Sequence, residues 1–240
     1  MTAPLFFVEV GSADAGSELV VGGDEGRHAA DVRRLRVGEP VDLTDGAGTL
    51  LHSVVAEVRR GELTVTVLEK VQVPAPAPRL TVAQALARGG RDEQAVETMT
   101  EIGVDHVVGW QANRGVARWT DRTAAKWTAT ARAAAKQSRR AWCPQISGPA
   151  TTAEVAELCR RAEIAVVLHE SASQPITALR FAGVADIVVV VGPEGGIDDR
   201  ELAELQDAGG QVVRLGPTVL RSSTAGGAAL AVICATTRWR

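Results

Sequence analysis

The stretch Ile187-Val188-Val189-Val190-Val191-Gly192-Pro193-Glu194-Gly195-Gly196 decides the fold. Five consecutive aliphatic residues leave neither face of a strand for water. Residues 186–191 are therefore predicted to form a central strand of a parallel sheet covered on both sides by helices. In such sheets ligands sit beyond the carboxyl ends of the strands, and the Gly-Pro-Glu-Gly-Gly turn falls at that end. Its glycines would let backbone groups approach a ligand closely, or would simply make a tight strand-to-helix turn. Glu194 in the loop, with Asp198 and Asp199 opening the next helix, disfavours a phosphate at that helix terminus. No G-x-G-x-x-G or G-x-x-x-x-G-K-[ST] follows a strand. The loop suits a ligand with hydroxyls, an amine or a positive charge.

Outward from this strand, residues 80–86, 105–111, 164–169 and 211–215 read as further strands. Residues 92–103, 121–140, 153–162, 198–208 and 225–238 read as helices, an α/β alternation. Two more loops share the carboxyl edge: Leu168-His169-Glu170, and Leu215-Gly216-Pro217 running on to Leu220-Arg221-Ser222-Ser223-Thr224. Residues 1–73 are different. Strands are expected at 5–10, 18–21, 40–43, 50–58 and 63–73, with a turn at Asp45-Gly46-Ala47-Gly48 and a short helix over 24–35, which together predict a small β-barrel. Pro74-Ala75-Pro76-Ala77-Pro78 is a stiff connector. The predicted division is therefore 1–73 and 74–240.

The 240 residues are 45% apolar and 23% charged, the composition of an ordinary globular protein and not of a disordered, collagenous or coiled-coil one. No apolar run approaches the roughly 18–20 residues of a membrane span, and no basic-then-apolar leader opens the chain. Cys143, Cys159 and Cys234 are scattered, as reduced cysteines of a cytoplasmic protein would be. His28, His52, His106 and His169 lack metal-ligand spacing, so no metal site is expected. No G-x-S-x-G supports covalent catalysis.

The net charge of −3 hides an asymmetry: residues 107–148 hold eight basic side chains and one acid, net +7, leaving −10 for the rest. In helical projection Arg122, Lys126, Arg132, Lys136, Arg139 and Arg140 share one sector of about 140°, while Trp127, Ala131 and Ala134 face the other way. Almost no carboxylates are interleaved at i+4 along that face. Such a face is either a solvated surface or a docking site for a phosphate backbone, and its lack of acids favours the latter. A phosphate-free nucleoside cofactor such as S-adenosylmethionine fits the acidic Gly-rich loop.

The sequence resembles the ribosomal RNA small-subunit methyltransferase E family of the SPOUT class. The resemblance is carried by Gln84-Ala85-Leu86 with Gly90-Arg91, Thr100-Glu101-Ile102-Gly103-Val104, Gln137-Ser138-Arg139-Arg140, Val191 to Gly196, and Leu215-Gly216-Pro217 with Leu220-Arg221. In the amino-terminal part it is carried by His28 and Val32-Arg33-Arg34-Leu35-Arg36 with Gly38. It implies a PUA-like barrel for RNA binding, a SPOUT domain with a trefoil knot, a homodimer, and transfer of a methyl group from S-adenosylmethionine to N3 of a uridine in 16S rRNA of the small subunit. The implied cofactor cradle is Leu168, His169, Gly192, Pro193, Glu194, Gly195, Gly196, Leu215, Leu220, Arg221, Ser222, Ser223, Thr224 and Ala225. The implied RNA contacts are His28, Arg33, Arg34, Arg36, Arg91, Gln137 and Arg140, to which the basic helix adds Arg122, Lys126, Arg132, Lys136 and Arg139. Arg221, then Arg91, is the catalytic candidate, as a positive charge for the anion that forms when N3 loses its proton; Arg221 could instead pair with Glu194. Two departures stand out. A glutamate usual in the L-R-T-E-T-A segment is Ser223 here, and E-Q-S-G-R is replaced by Lys136-Gln137-Ser138-Arg139-Arg140. The rival readings are a SPOUT enzyme for another rRNA or tRNA nucleotide, and a non-catalytic ribosome-assembly factor.

Overall fold

A computed structural model describes residues 3–87 and 89–239. The chain forms two compact units, residues 1–75 with 135–143, and residues 76–134 with 144–240.

The first unit is a five-stranded sheet of order β1-β3-β4-β5-β2, built from β1 (Leu5–Phe7), β2 (Glu18–Val21), β3 (Pro40–Thr44), β4 (Thr49–Arg59) and β5 (Glu62–Gln72). Strand β4 alternates buried and half-buried residues along most of its length, the pattern of a sheet with one face turned toward water. Register shifts at His52/Ser53 and Val55/Glu57 bend β4 against β5. The sheet curls, as expected of a small barrel, around Phe6, Val41, Leu43, Leu51, Leu63 and Val65. The helix expected over 24–35 is split: α1 (Gly23–Arg27) continues as a π-helical turn over His28–Val32, and Arg34 leaves it in the left-handed region at φ 55°. Residues 135–143 join this unit through Trp142, whose Nε1 donates to the carbonyl of Val73 at 3.0 Å, and Cys143, whose amide donates to Gly46 at 2.9 Å.

The second unit is a six-stranded, all-parallel sheet of order β11-β9-β10-β6-β7-β8. Its strands are β6 (Arg79–Ala85), β7 (His106–Trp110), β8 (Gln145–Ala150), β9 (Ile164–Leu168), β10 (Asp186–Val191) and β11 (Gly210–Val213). Strand β10 pairs with β6 and β9, so the quoted valine run is a central strand. Its side chains alternate between two cores. Ile187, Val189 and Val191 meet α2 (Arg91–Ile102), α3 (Asp121–Gln137) and α6 (Ser222–Thr236) on one face. Val188 and Val190 meet α4 (Thr152–Arg161) and α5 (Asp199–Asp207) on the other. Trp127, Ala131 and Ala134 are buried as projected.

Two expectations needed revision. Strand β8 lies outside the expected strands; it is an edge strand, where its Pro149 is tolerated. Helix α3 ends at Gln137 and not at Arg140. Arg139 takes φ 57°, and the amide of Arg140 returns to the carbonyl of Ala135 at 2.9 Å, the closure usually made with glycine in the left-handed position.

After β11, at one edge of the sheet, the chain returns to the centre, where α6 packs on β10, β6 and α2. The return needs two glycines. A Cβ on Gly226 would lie 2.7 Å from Met99 Sδ, and one on Gly227 2.8 Å from Thr98 Cγ2. These contacts fix the amino end of α6 at the carboxyl edge of the sheet.

Candidate cofactor cavity and basic surface residues

The loops after β9, β10 and β11 and the start of α6 enclose a cavity of about 340 Å³, within the roughly 300–1,000 Å³ of small-molecule sites. Leu168, His169, Gly192, Pro193, Glu194, Gly196, Leu215, Leu220, Arg221, Ser222 and Ala225 line it. Of the other expected cradle residues, Gly195 packs against Arg114, Ser223 is buried in α6 and Thr224 is exposed. Glu170 and the turn Gly216-Pro217-Thr218-Val219, from loops expected at this edge, also line the wall, as does Arg214, which sequence reasoning missed. Two arginines thus accompany the two glutamates, so the cavity is not acidic overall.

Packing and backbone conformation both call for glycine in the quoted loop. A Cβ on Gly192 would stand 2.7 Å from Ile197 Cγ1, and one on Gly195 3.2 Å from the Cβ and carbonyl oxygen of Arg114. Gly196 needs φ +75°. The loop is held from the β7–α3 connection. Asn113 Nδ2 donates to Asp198 Oδ2 at 2.8 Å, its amide donates to Glu201 Oε1 at 2.9 Å, and Arg114 Nη1 reaches the carbonyl of Gly195 at 3.4 Å. Glu201 is only 1% exposed and also accepts from Thr152 Oγ1 at 2.8 Å. It forms a reciprocal cap with Asp198 at the start of α5. The Glu201 amide, then the Asn113 side chain, hold the Asp198 carboxyl below its ordinary value. Nothing in the sequence pairs Asn113 with residues 85 or more positions away.

Arg221 is the exposed N-cap of α6, and its guanidinium has no ion-pair partner among the described residues. The Arg221–Glu194 pair weighed from sequence is not formed: Glu194 faces Arg91 instead, Oε1 to Nη1 3.6 Å. His169 lines the cavity with Nδ1 2.9 Å from Ser171 Oγ. The buried Ser222 Oγ has no hydrogen-bond partner among the described residues. A buried hydroxyl left unpaired costs about 1–3 kcal/mol; here it belongs to a residue of the cavity wall.

The basic residues fare unequally. Arg33, Arg34 and Arg36 are exposed on the segment following the π-helical turn, flanked by exposed Val32 and Val37. His28 turns inward, its ring edge-on to Phe6 at 5.9 Å. Lys136 is 16% exposed, ion-paired to Glu25 at 2.7 Å and set over the Phe6 ring at 5.3 Å. Lys126 pairs with Glu93 at 2.7 Å. The helix therefore receives from other elements the carboxylates its own sequence lacks. Arg122, Arg132, Gln137 and Arg139 are exposed, and Arg140 is half-buried. Among the described residues no group of three or more His, Cys, Asp or Glu side chains is placed to hold a metal ion, and no helix is long and apolar enough to cross a membrane.

Residues 74–234 match the family described as RNA methyltransferase domain, and residues 21–68 the one described as RNA methyltransferase PUA domain. The chain thus carries the domains of an RNA methyltransferase. Over its full length the chain is 46% identical to the ribosomal RNA small subunit methyltransferase E of Mycobacterium tuberculosis, covering 94% of that protein. It is 26% identical to the Bacillus subtilis protein of the same name, over 85% of this chain and 84% of the relative. The crystal structure of the Neisseria gonorrhoeae ribosomal RNA small subunit methyltransferase E bound to S-adenosyl methionine shares its fold, with TM-score 0.87, 24% identity and 98% of each chain covered. The chain belongs to the ribosomal RNA small subunit methyltransferase E family.

Proposed function

We propose that this protein transfers the methyl group of S-adenosylmethionine to N3 of a uridine in the 16S rRNA of the small ribosomal subunit, as a cytoplasmic homodimer. In this reading residues 1–73 form the RNA-binding domain and 74–240 the methyltransferase domain. The observation that carries it is the cavity at the ends of β9, β10 and β11, lined by the Gly-Pro-Glu-Gly-Gly loop and the amino end of α6. The family relationship supports the same reading.

The residues fit the cofactor. The apolar wall of Leu168, Val191, Leu215 and Leu220 suits an adenine ring, and the orphaned Ser222 Oγ supplies a donor and acceptor. Glu170 and Glu194 suit hydroxyls, an amine or a sulfonium; Arg214 or Arg221 suits a carboxylate. Bound there, the cofactor supplies a methyl on an already activated sulfonium leaving group. The chain must do the rest. Uridine N3 carries an imide proton, and its loss spreads negative charge onto O2 and O4. Arg221, at the cavity and free of a carboxylate partner among the described residues, is placed to stabilise that charge, a contribution of about 3–4 kcal/mol for one well-aimed donor. Arg91, engaged by Glu194, is the second candidate. Arg33, Arg34 and Arg36 hold the RNA so that the base can be extruded and presented in line with the transferred methyl.

Calorimetric titration with S-adenosylmethionine, paired with hydrogen exchange, tests the reading. Saturable binding that slows exchange at residues 192–197 and 215–225 is expected. Absence of binding would leave a non-catalytic RNA-binding factor.

A further inference from the structure

The carboxyl edge of the parallel sheet carries a second cavity, about 360 Å³, between the loop after β6 and the loop after β7. Arg118, Arg122 and Lys126 line it together with Gly89, Gly90 and Asp92. The amino ends of two full-length helices converge on it. Gly90 caps α2, and Thr120 caps α3, its Oγ1 accepting from the Thr123 amide at 3.2 Å. Each terminus presents unpaired amides and a partial positive charge.

The carboxylates nearby are already spent. Asp92 is buried and accepts from Trp127 Nε1 at 3.1 Å, and Glu93 is paired with Lys126 at 2.7 Å. Asp121 does not line the cavity. Arg118 and Arg122 are exposed and have no carboxylate partner among the described residues. Two guanidinium groups before two helix termini favour an oxyanion, and planar guanidinium matches phosphate geometry.

The position indicates which phosphate. Arg91, the first residue of α2, spans from this loop to Glu194 of the cofactor cavity at 3.6 Å. The two cavities are thus neighbours across the β6–β10 strand pair, with the Arg91–Glu194 pair between them. We propose that this cleft holds a phosphodiester group of the RNA, from a nucleotide flanking the target base, with Arg118 and Arg122 as its ligands. The proposal rests on the methyltransferase reading above. Binding there fixes the register of the strand, so that the adjoining base enters over Arg91 toward the cofactor. Phosphate contacts position a nucleic acid without reading its sequence.

The test compares the wild-type protein with R118A/R122A and R118K/R122K. Each is assayed for affinity to small-subunit rRNA across a salt series, for S-adenosylmethionine affinity and for thermal stability. Loss of two phosphate contacts lowers the slope of log K against log salt by about 1.4 and raises the KM for RNA by about tenfold. Cofactor affinity stays unchanged, and the double lysine variant keeps most of the salt slope. An unchanged slope and KM in a folded, cofactor-binding R118A/R122A protein overturn the proposal. So does a joint loss of cofactor affinity, which would assign the cleft to the cofactor. If the wild-type protein binds S-adenosylmethionine but no rRNA, the substrate reading itself fails, and this site with it.

Discussion

Glu201→Ala is the substitution through which packing should speak most clearly to function. The carboxylate is nearly inaccessible and accepts from the Asn113 amide, Thr152 Oγ1 and, at 3.4 Å, the Asp198 amide. The two short bonds are charge-assisted, worth roughly 1.5–3 kcal/mol each. Relief of a buried charge offsets part of that. A net destabilisation of about 3 kcal/mol is expected, about 6–12 °C in Tm for a chain of this size. Glu201→Gln keeps an acceptor oxygen and should cost about 1 kcal/mol. Because Asn113 and Asp198 tie the β7–α3 connection to the loop after β10, the alanine variant should also bind S-adenosylmethionine several-fold more weakly. Urea unfolding followed by circular dichroism gives the first quantity, and calorimetry the second. An alanine variant within 0.5 kcal/mol of wild type would refute the network's structural role. Equal damage from glutamine and alanine would shift the weight from hydrogen-bond acceptance to charge.

Arg221→Ala should lower kcat by about 100-fold or more while leaving cofactor affinity within a few-fold; steady-state methyl transfer beside calorimetry separates the two, and loss of affinity alone would remove its catalytic role. Arg33→Ala with Arg34→Ala should flatten the salt dependence of RNA binding by about 1.4 in slope, and an unchanged slope would take the segment out of the RNA contact. Arg139→Gly should raise stability by about 1 kcal/mol, because a left-handed residue at φ 57° becomes one that costs nothing sterically; thermal melts read it directly. Burial, and then Arg79, hold His106 below its ordinary value of 6.5, so the unfolded chain takes up the proton first. Stability from this group is complete above pH 6.5 and falls as the pH drops below it; His106→Asn should flatten that part of the Tm profile between pH 7.5 and 5.5.

The aliphatic run 187–191 was enough to place a central parallel strand, because burial on both faces leaves a period-free apolar signature. The charged face of α3 was legible as a pattern but not as an electrostatic state. Its neutralising partners, Glu25 for Lys136 and Glu93 for Lys126, lie 111 and 33 residues away, beyond any local periodicity. The loop glycines were visible, yet their reason was not: only the fold brings Ile197 and Arg114 against Gly192 and Gly195. Strand β8 holds one large apolar residue, Ile146, and a proline, Pro149, so it leaves no strand signature in the sequence. The site loops were legible because they follow strands, whereas Arg214 and the Asn113–Glu201 brace become part of the site only through tertiary folding.

The central claim is methyl transfer to small-subunit rRNA, and it is tested by incubating the protein with labelled S-adenosylmethionine and small ribosomal subunits from cells lacking it, then digesting the RNA to nucleosides. Label recovered in 3-methyluridine at one site of 16S rRNA is the predicted result. Label in another nucleoside, or none despite intact cofactor binding, would contradict it.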